Sequence, residues 1–178
     1  MVKGIREEIK QRKQFPSLEA EAVLALLRTA DQLQTGIAEM LKPYQLSPTQ
    51  YNALRILRGA GVQGLPCSEI GERMLSRDPD ITRLLDRLER RGLALREREA
   101  RDRRVIKARI QPTGVKLLES LDRPVEQHTR SMLRHLGEPR LRTLIRLLDL
   151  ARSGFHGGVQ SGISNLHLSP RLDARRKL

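Results

Sequence analysis

Tryptophan is absent from this 178-residue chain, and its whole aromatic content, 2%, is two tyrosines and two phenylalanines. Any core it builds is therefore aliphatic. A single cysteine, Cys67, excludes an internal disulfide framework. No apolar run approaches the ~18–20 residues needed to span a bilayer, so no membrane partner is expected. The opening MVKGIREEIKQRKQF lacks the apolar centre of a secretion signal, which points to the cytoplasm. No glycine-rich phosphate loop and no Ser-His-Asp or paired-carboxylate constellation is present. The four histidines, His128, His135, His156 and His167, have no metal-ligand spacing. No enzyme, cofactor or metal site is expected.

What the chain does have is positive charge. Thirty-four Lys/Arg against 21 Asp/Glu give +13, with an isoelectric point near 11.1. Such an imbalance suits a polyanion, because cations that neutralise phosphates release condensed counterions. Hydrophobic residues make up 38% and mean hydropathy is −0.49, enough for one modest domain with helical extensions.

The most informative stretch is 77–114. Its helix is expected to start with Asp78 as cap and Pro79 at the first helical position. Ile81, Leu84, Leu85 and Leu88 then form one apolar face. The other face carries Asp80, Thr82, Arg83, Asp86, Arg87 and Arg90. Gly92 suits the position just past the helix end, where positive φ is often required. Two alternating runs follow, 93–98 and 105–110, around the polar turn 99–104. They predict a hairpin with one buried face. Across 77–109, twelve Lys/Arg stand against seven Asp/Glu, an excess of +5.

The flanking segments are helical in period. Residues 17–42 predict a long helix ended by Pro43, and residues 1–16 are open between a short helix and a disordered arm. Ser47-Pro48-Thr49-Gln50 is a capping-box pattern, followed by Tyr51, Leu54 and Leu57 on one stripe. Residues 63–65 suit a short strand added to the hairpin. Pro66 opens a short helix to Leu75, with Ile70 and Met74 inward. Two short helices around a tight turn make a helix-turn-helix, and the hairpin adds a wing. From Pro112 a helix runs towards His135, with Pro124 expected to kink or split it. A last helix to about Arg152 carries Leu141, Leu144, Ile145 and Leu148, widened by Leu147 and Leu150. That much leucine calls for a partner surface. Residues 153–178 lose periodicity.

This order resembles the MarR family of bacterial transcriptional regulators over about residues 18–152. The resemblance rests on SEIGERM (68–74), DITRLLDRLERRGLALR (80–96), DRR (102–104) and Pro112-Thr113-Gly114. The fold class it implies is mainly α with a small β-wing. A flexible arm (1–16) precedes a MarR-type domain (17–152), and a flexible basic tail (153–178) follows. Within the domain, dimerisation helices at 17–42 and 112–152 flank a winged helix-turn-helix at 47–111. The resemblance implies a homodimer on a pseudo-palindromic double-stranded operator, usually as repressor, with a small-molecule effector in many members. The chain departs from the family at Gln111, where a Thr or Ser usually caps the next helix, and in its dearth of pocket aromatics. The alternative from charge alone is a sequence-indifferent architectural or nucleoid protein.

The DNA-binding candidates follow. Thr82, Arg83 and Arg87 lie on the exposed face, where Arg best matches guanine O6/N7. Arg87 has acidic neighbours one turn away as competing partners. Asp80 either accepts from a cytosine amino group or steadies the helix dipole. Ser68 either bonds a phosphate or caps its helix. Arg101 and Arg103 are candidates for a minor-groove finger. Asp102 is expected to hold a neighbouring arginine, as the family's Asp-Arg pair does, and Arg104 to act as a strut. Cys67 sits near a helix N-terminus, which favours a reactive thiolate, but also in an apolar setting, which favours an inert thiol.

Overall fold

The computed structural model describes residues 3–76, 80–99 and 104–157. Among these are seven α-helices: α1 (Ile5–Glu8), α2 (Leu18–Leu41), α3 (Pro48–Ala60), α4 (Cys67–Arg73), α5 (Ile81–Arg90), α6 (Pro112–Leu133) and α7 (Gly137–Gly157). Three strands, β1 (Leu65–Pro66), β2 (Ala94–Arg98) and β3 (Ile106–Ile110), form an antiparallel sheet in the order β1-β3-β2. The chain divides into two compact units, Met1–Met132 and Leu133–Leu178. The first holds the core and the whole helix-turn-helix.

Local chemistry sets most boundaries. Ser17 caps α2, its hydroxyl accepting from the Ala20 amide at 3.2 Å. At α3 the reciprocal cap predicted from Ser47 and Gln50 is formed: the Gln50 amide donates to Ser47 Oγ at 3.1 Å and the Ser47 amide to Gln50 Oε1 at 3.0 Å. Helix α5 stops where Gly92 turns to φ +64°. There the Leu93 amide reaches back to the Leu88 carbonyl and the Gly92 amide to that of Glu89. In the stretch left open between helix and arm, α1 makes one turn, and Glu8 accepts from Arg28 (2.8 Å) and Gln32 (3.1 Å) of α2.

The core is aliphatic apart from Tyr51. Leu54 and Leu57 of α3, Ile70 of α4, Leu85 and Leu88 of α5, and Leu118 and Leu121 of α6 are essentially inaccessible. Each contributes roughly 2 kcal/mol of transfer free energy. Arg58 clamps α3 to α6 through two parallel bonds of 2.9 Å to the Asp122 carboxylate. Gly114 marks a close approach: a Cβ there would collide with the Leu93 carbonyl oxygen and lie 2.9 Å from Ile110 Cγ1.

Several expectations need correction. The cap of α5 is Asp80, not Asp78, and the helix begins at Ile81 rather than Pro79. Residue 63 belongs to a 3-10 turn, and the added strand is Leu65–Pro66, paired to Ala108 and Lys107. Helix α4 ends at Arg73, two residues short of Leu75, although Ile70 and Met74 are buried as read. Of the kink or split expected at Pro124, the split does not occur: helix α6 is continuous through it. Helix α7 extends to Gly157, five residues beyond Arg152.

Candidate nucleic-acid interface

The helix-turn-helix is built by burying one side of α5 and one side of α4. Leu84, Leu85 and Leu88 are buried and Ile81 half-buried, which leaves Thr82, Arg83, Arg87 and Arg90 exposed on the opposite face. The chain leading into α5 is tethered from α3, where Asn52 Oδ1 accepts the Leu75 amide at 2.9 Å. At the helix start, Asp80 does two things. One oxygen accepts the Arg83 amide at 2.9 Å, and the other pairs with Arg83 Nε at 3.0 Å. The first bond satisfies a backbone donor at the helix end; the second holds the Arg83 guanidinium along the exposed face. The Arg83 side chain remains 79% exposed.

Ser68 is exposed in the first turn of α4 and is not its cap: Pro66 occupies that position and no side chain caps the helix. Cys67 beside it is half-buried, and burial pushes its thiol pKa up, against a smaller opposing effect of Arg96. Its surroundings favour the inert thiol over the reactive thiolate.

The ribbon leaves α5 almost at once. Its register sets Ala94 opposite Ile110, Arg96 opposite Ala108 and Arg98 opposite Ile106. Ala94 and Ala108 are buried, so the inward face of β2 carries Ala94 and Arg96. On the other face Lys107 pairs with Glu99 at 2.7 Å and Arg109 with Glu97 at 2.8 Å. The Glu99 amide donates to the Val105 carbonyl at 2.9 Å and closes the two strands below the tip. Arg104 is exposed at the end of the turn. Arg101, Asp102 and Arg103 lie outside the described residues.

The feature that sequence reading missed is Arg96. Its Nε and Nη2 donate to Glu89 Oε2 at 3.0 and 2.7 Å, Nη2 also donates to Asp86, and its backbone amide donates to Glu89 Oε1 at 3.0 Å. The Arg96 amide, then its guanidinium, holds the Glu89 carboxyl below its ordinary pKa. The available signal was two acids, Asp86 and Glu89, three apart on a helix otherwise dressed in arginine. Arg91 was likewise missed: its guanidinium donates to the carbonyls of Gln45 (2.5 Å) and Tyr44 (3.2 Å) after α2.

Together these residues present an arginine-bearing helix and a basic ribbon joined through Gly92. No group of three or more potential metal ligands, and no helix long and apolar enough to cross a membrane, occurs among the described residues. The MarR family profile matches residues 46–106, which run from just before α3 to the first residue of β3. A MarR transcription factor from Planctomyces limnophilus is 42% identical in sequence and superposes with a TM-score of 0.60, over 77% of this chain and 99% of that one. The HTH-type transcriptional regulator MhqR of Bacillus subtilis is 30% identical over 98 residues, which is 55% of this chain and 66% of that protein. The MepR–DNA complex of S. aureus shares the fold at a TM-score of 0.66 and 23% identity, covering 73% of this chain and 96% of that one. With sequence, helix order and wing all in agreement, the chain belongs to the MarR family of winged helix-turn-helix transcriptional regulators.

Proposed function

We propose that the protein is a homodimer that binds a pseudo-palindromic double-stranded operator in the cytoplasm and acts as a repressor. The observation that carries this reading is the exposed face of α5, with Thr82, Arg83 and Arg87 held by a buried leucine face and followed directly by the ribbon. In the proposed complex α5 enters the major groove. Arg83 and Arg87 meet base edges there, Thr82 and Asp80 meet bases or steady the helix, and Ser68 meets a phosphate. Arg101 and Arg103 reach the adjacent minor groove, with Asp102 and Arg104 supporting them. MepR, which shares this fold, is itself bound to DNA in its structure.

The homodimer is supported by apolar surface left in the open. Leu18, Val23, Leu26 and Leu27 of α2, and Ile145, Leu147, Leu150 and Phe155 of α7, are all exposed. Such surface marks an interaction site. A small effector that releases the DNA completes the reading, and with four aromatic residues in the chain it is not expected to be held by ring stacking.

The test is selection of duplexes from genomic DNA by the full chain, then titration of a recovered duplex against a scrambled one at fixed salt. A recovered palindrome bound at least about a thousandfold more tightly than its scrambled partner supports the reading. Equal affinity removes it and favours the sequence-indifferent architectural alternative, driven by the +13 charge. Removing residues 158–178 sharpens the choice. The regulator keeps its footprint, whereas a tail-driven binder loses most of its affinity.

A further inference from the structure

Asp86 and Glu89 are out of place on a helix that faces phosphates. Two carboxylates within one turn repel the backbone that Arg83 and Arg87 attract. Arg96 resolves the conflict from beneath. It bonds both acids with its guanidinium and gives its amide to Glu89 as well, so one ribbon residue is anchored to α5 by main chain and side chain together. The three side chains are mostly covered, with Arg96 only 24% exposed. Solvent therefore screens the cluster less than an open surface pair. Arg96 also lies on the inward face of the ribbon, in register with the buried Ala108, and is not offered to a duplex. A planar fork can satisfy two carboxylates and stay rigid; an ammonium cannot.

We propose that Arg96 is a positioning residue that locks α5 and the ribbon at one mutual angle, so that two DNA-reading elements act as a single rigid surface. This rests on the DNA-binding reading above. Non-specific attachment to phosphates tolerates a loose angle. Simultaneous entry into neighbouring grooves does not, because both elements must hold their geometry to within a fraction of an ångström. The lock therefore supports discrimination between sequences more than raw affinity.

Glu89→Gln separates this role from simple charge neutralisation. The substitution makes α5 less acidic, so electrostatics alone tightens binding to every duplex. The lock predicts the opposite for the selected duplex. Affinity for a duplex recovered from a random pool falls about tenfold, while affinity for a scrambled duplex of the same composition holds or rises. Arg96→Lys, which keeps the charge, shows the same loss of discrimination, and thermal melts establish that both variants are folded. Equal tightening on both duplexes by Glu89→Gln, or full discrimination in Arg96→Lys, overturns the proposal. If the unaltered protein binds both duplexes alike, specific regulation fails instead. The lock is then judged without DNA: in Arg96→Ala the amides of β2 exchange faster relative to those of α3 if the lock exists, and unchanged rates overturn it.

Discussion

Leucine meets two fates in this chain. On α3, α5 and the first half of α6 it packs inward: Leu54, Leu57, Leu85, Leu88, Leu118 and Leu121 have essentially no accessible surface, although Leu75, just after α4, is exposed. On the N-terminal half of α2 and along α7 it faces outward, with Leu18, Leu27, Leu147 and Leu150 more than half exposed. A helical period is present in both regions, so periodicity says that a face is apolar and not what covers it. The winged region closes on itself. The outer helices carry apolar faces that need another surface, and the proposed second copy supplies one.

The largest way to break this contrast is Leu88→Ala, which leaves a void under α5. It should cost about 2–5 kcal/mol in urea unfolding and abolish DNA binding with it. Ile145→Asp with Leu150→Asp should leave the secondary structure intact yet weaken self-association by about a hundredfold, because charge would be buried without a partner; sedimentation velocity reads this directly. A monomer in the unaltered protein would remove the proposed assembly. Arg83→Ala should lower operator affinity by about 1–3 kcal/mol and relax preference at one base pair per half-site, measured by competition with single-base variants.

Acid gives a smaller effect. The carboxyls of Glu89, beside the Arg96 amide and guanidinium, and of Asp122, bonded to Arg58, both have lowered pKa values. Their stabilisation is complete above the ordinary carboxylate range and is lost as pH falls through the lowered values. Urea midpoints should be flat near neutrality and fall below about pH 4. Partial exposure of both pairs keeps this decrement modest. Smallest of all, Cys67→Ser should change stability by about 1 kcal/mol or less and leave DNA binding unaltered, with or without peroxide. A peroxide response lost on substitution would instead favour the reactive thiolate.

Signals confined to four or five consecutive residues were legible in advance. The Ser47–Gln50 cap, the stop at Gly92 and the leucine face of α5 all formed as read. Competition between neighbours was not legible. Asp78 and Asp80 both suit a cap, and Asp80 takes the role because α5 starts at Ile81. Pro124 does not split α6, because Leu121 and Val125 on either side of it pack into or against the core, and their burial carries the helix past the missing hydrogen bond. In the sequence Arg96 is only one of twelve Lys/Arg between 77 and 109. Which face of a strand a residue occupies depends on its register with β3, and register is a tertiary property. The roles proposed for Arg101, Asp102 and Arg103 rest on composition and family resemblance.

The bond from the Arg96 amide to Glu89 has a consequence unrelated to DNA. Strand β2 borders the sheet, with β3 on one side and, among the described residues, no strand on the other. An open border of this kind offers main-chain donors to any extended segment of another molecule, which is how unwanted fibrous association begins. Here a carboxylate from the preceding helix occupies one such donor in the middle of the strand. The charged side chains of Glu97 and Arg98 follow it on the way to the tip. Glu89 thus also blunts the exposed rim of the sheet, and its removal should show first as a tendency to clump on concentration.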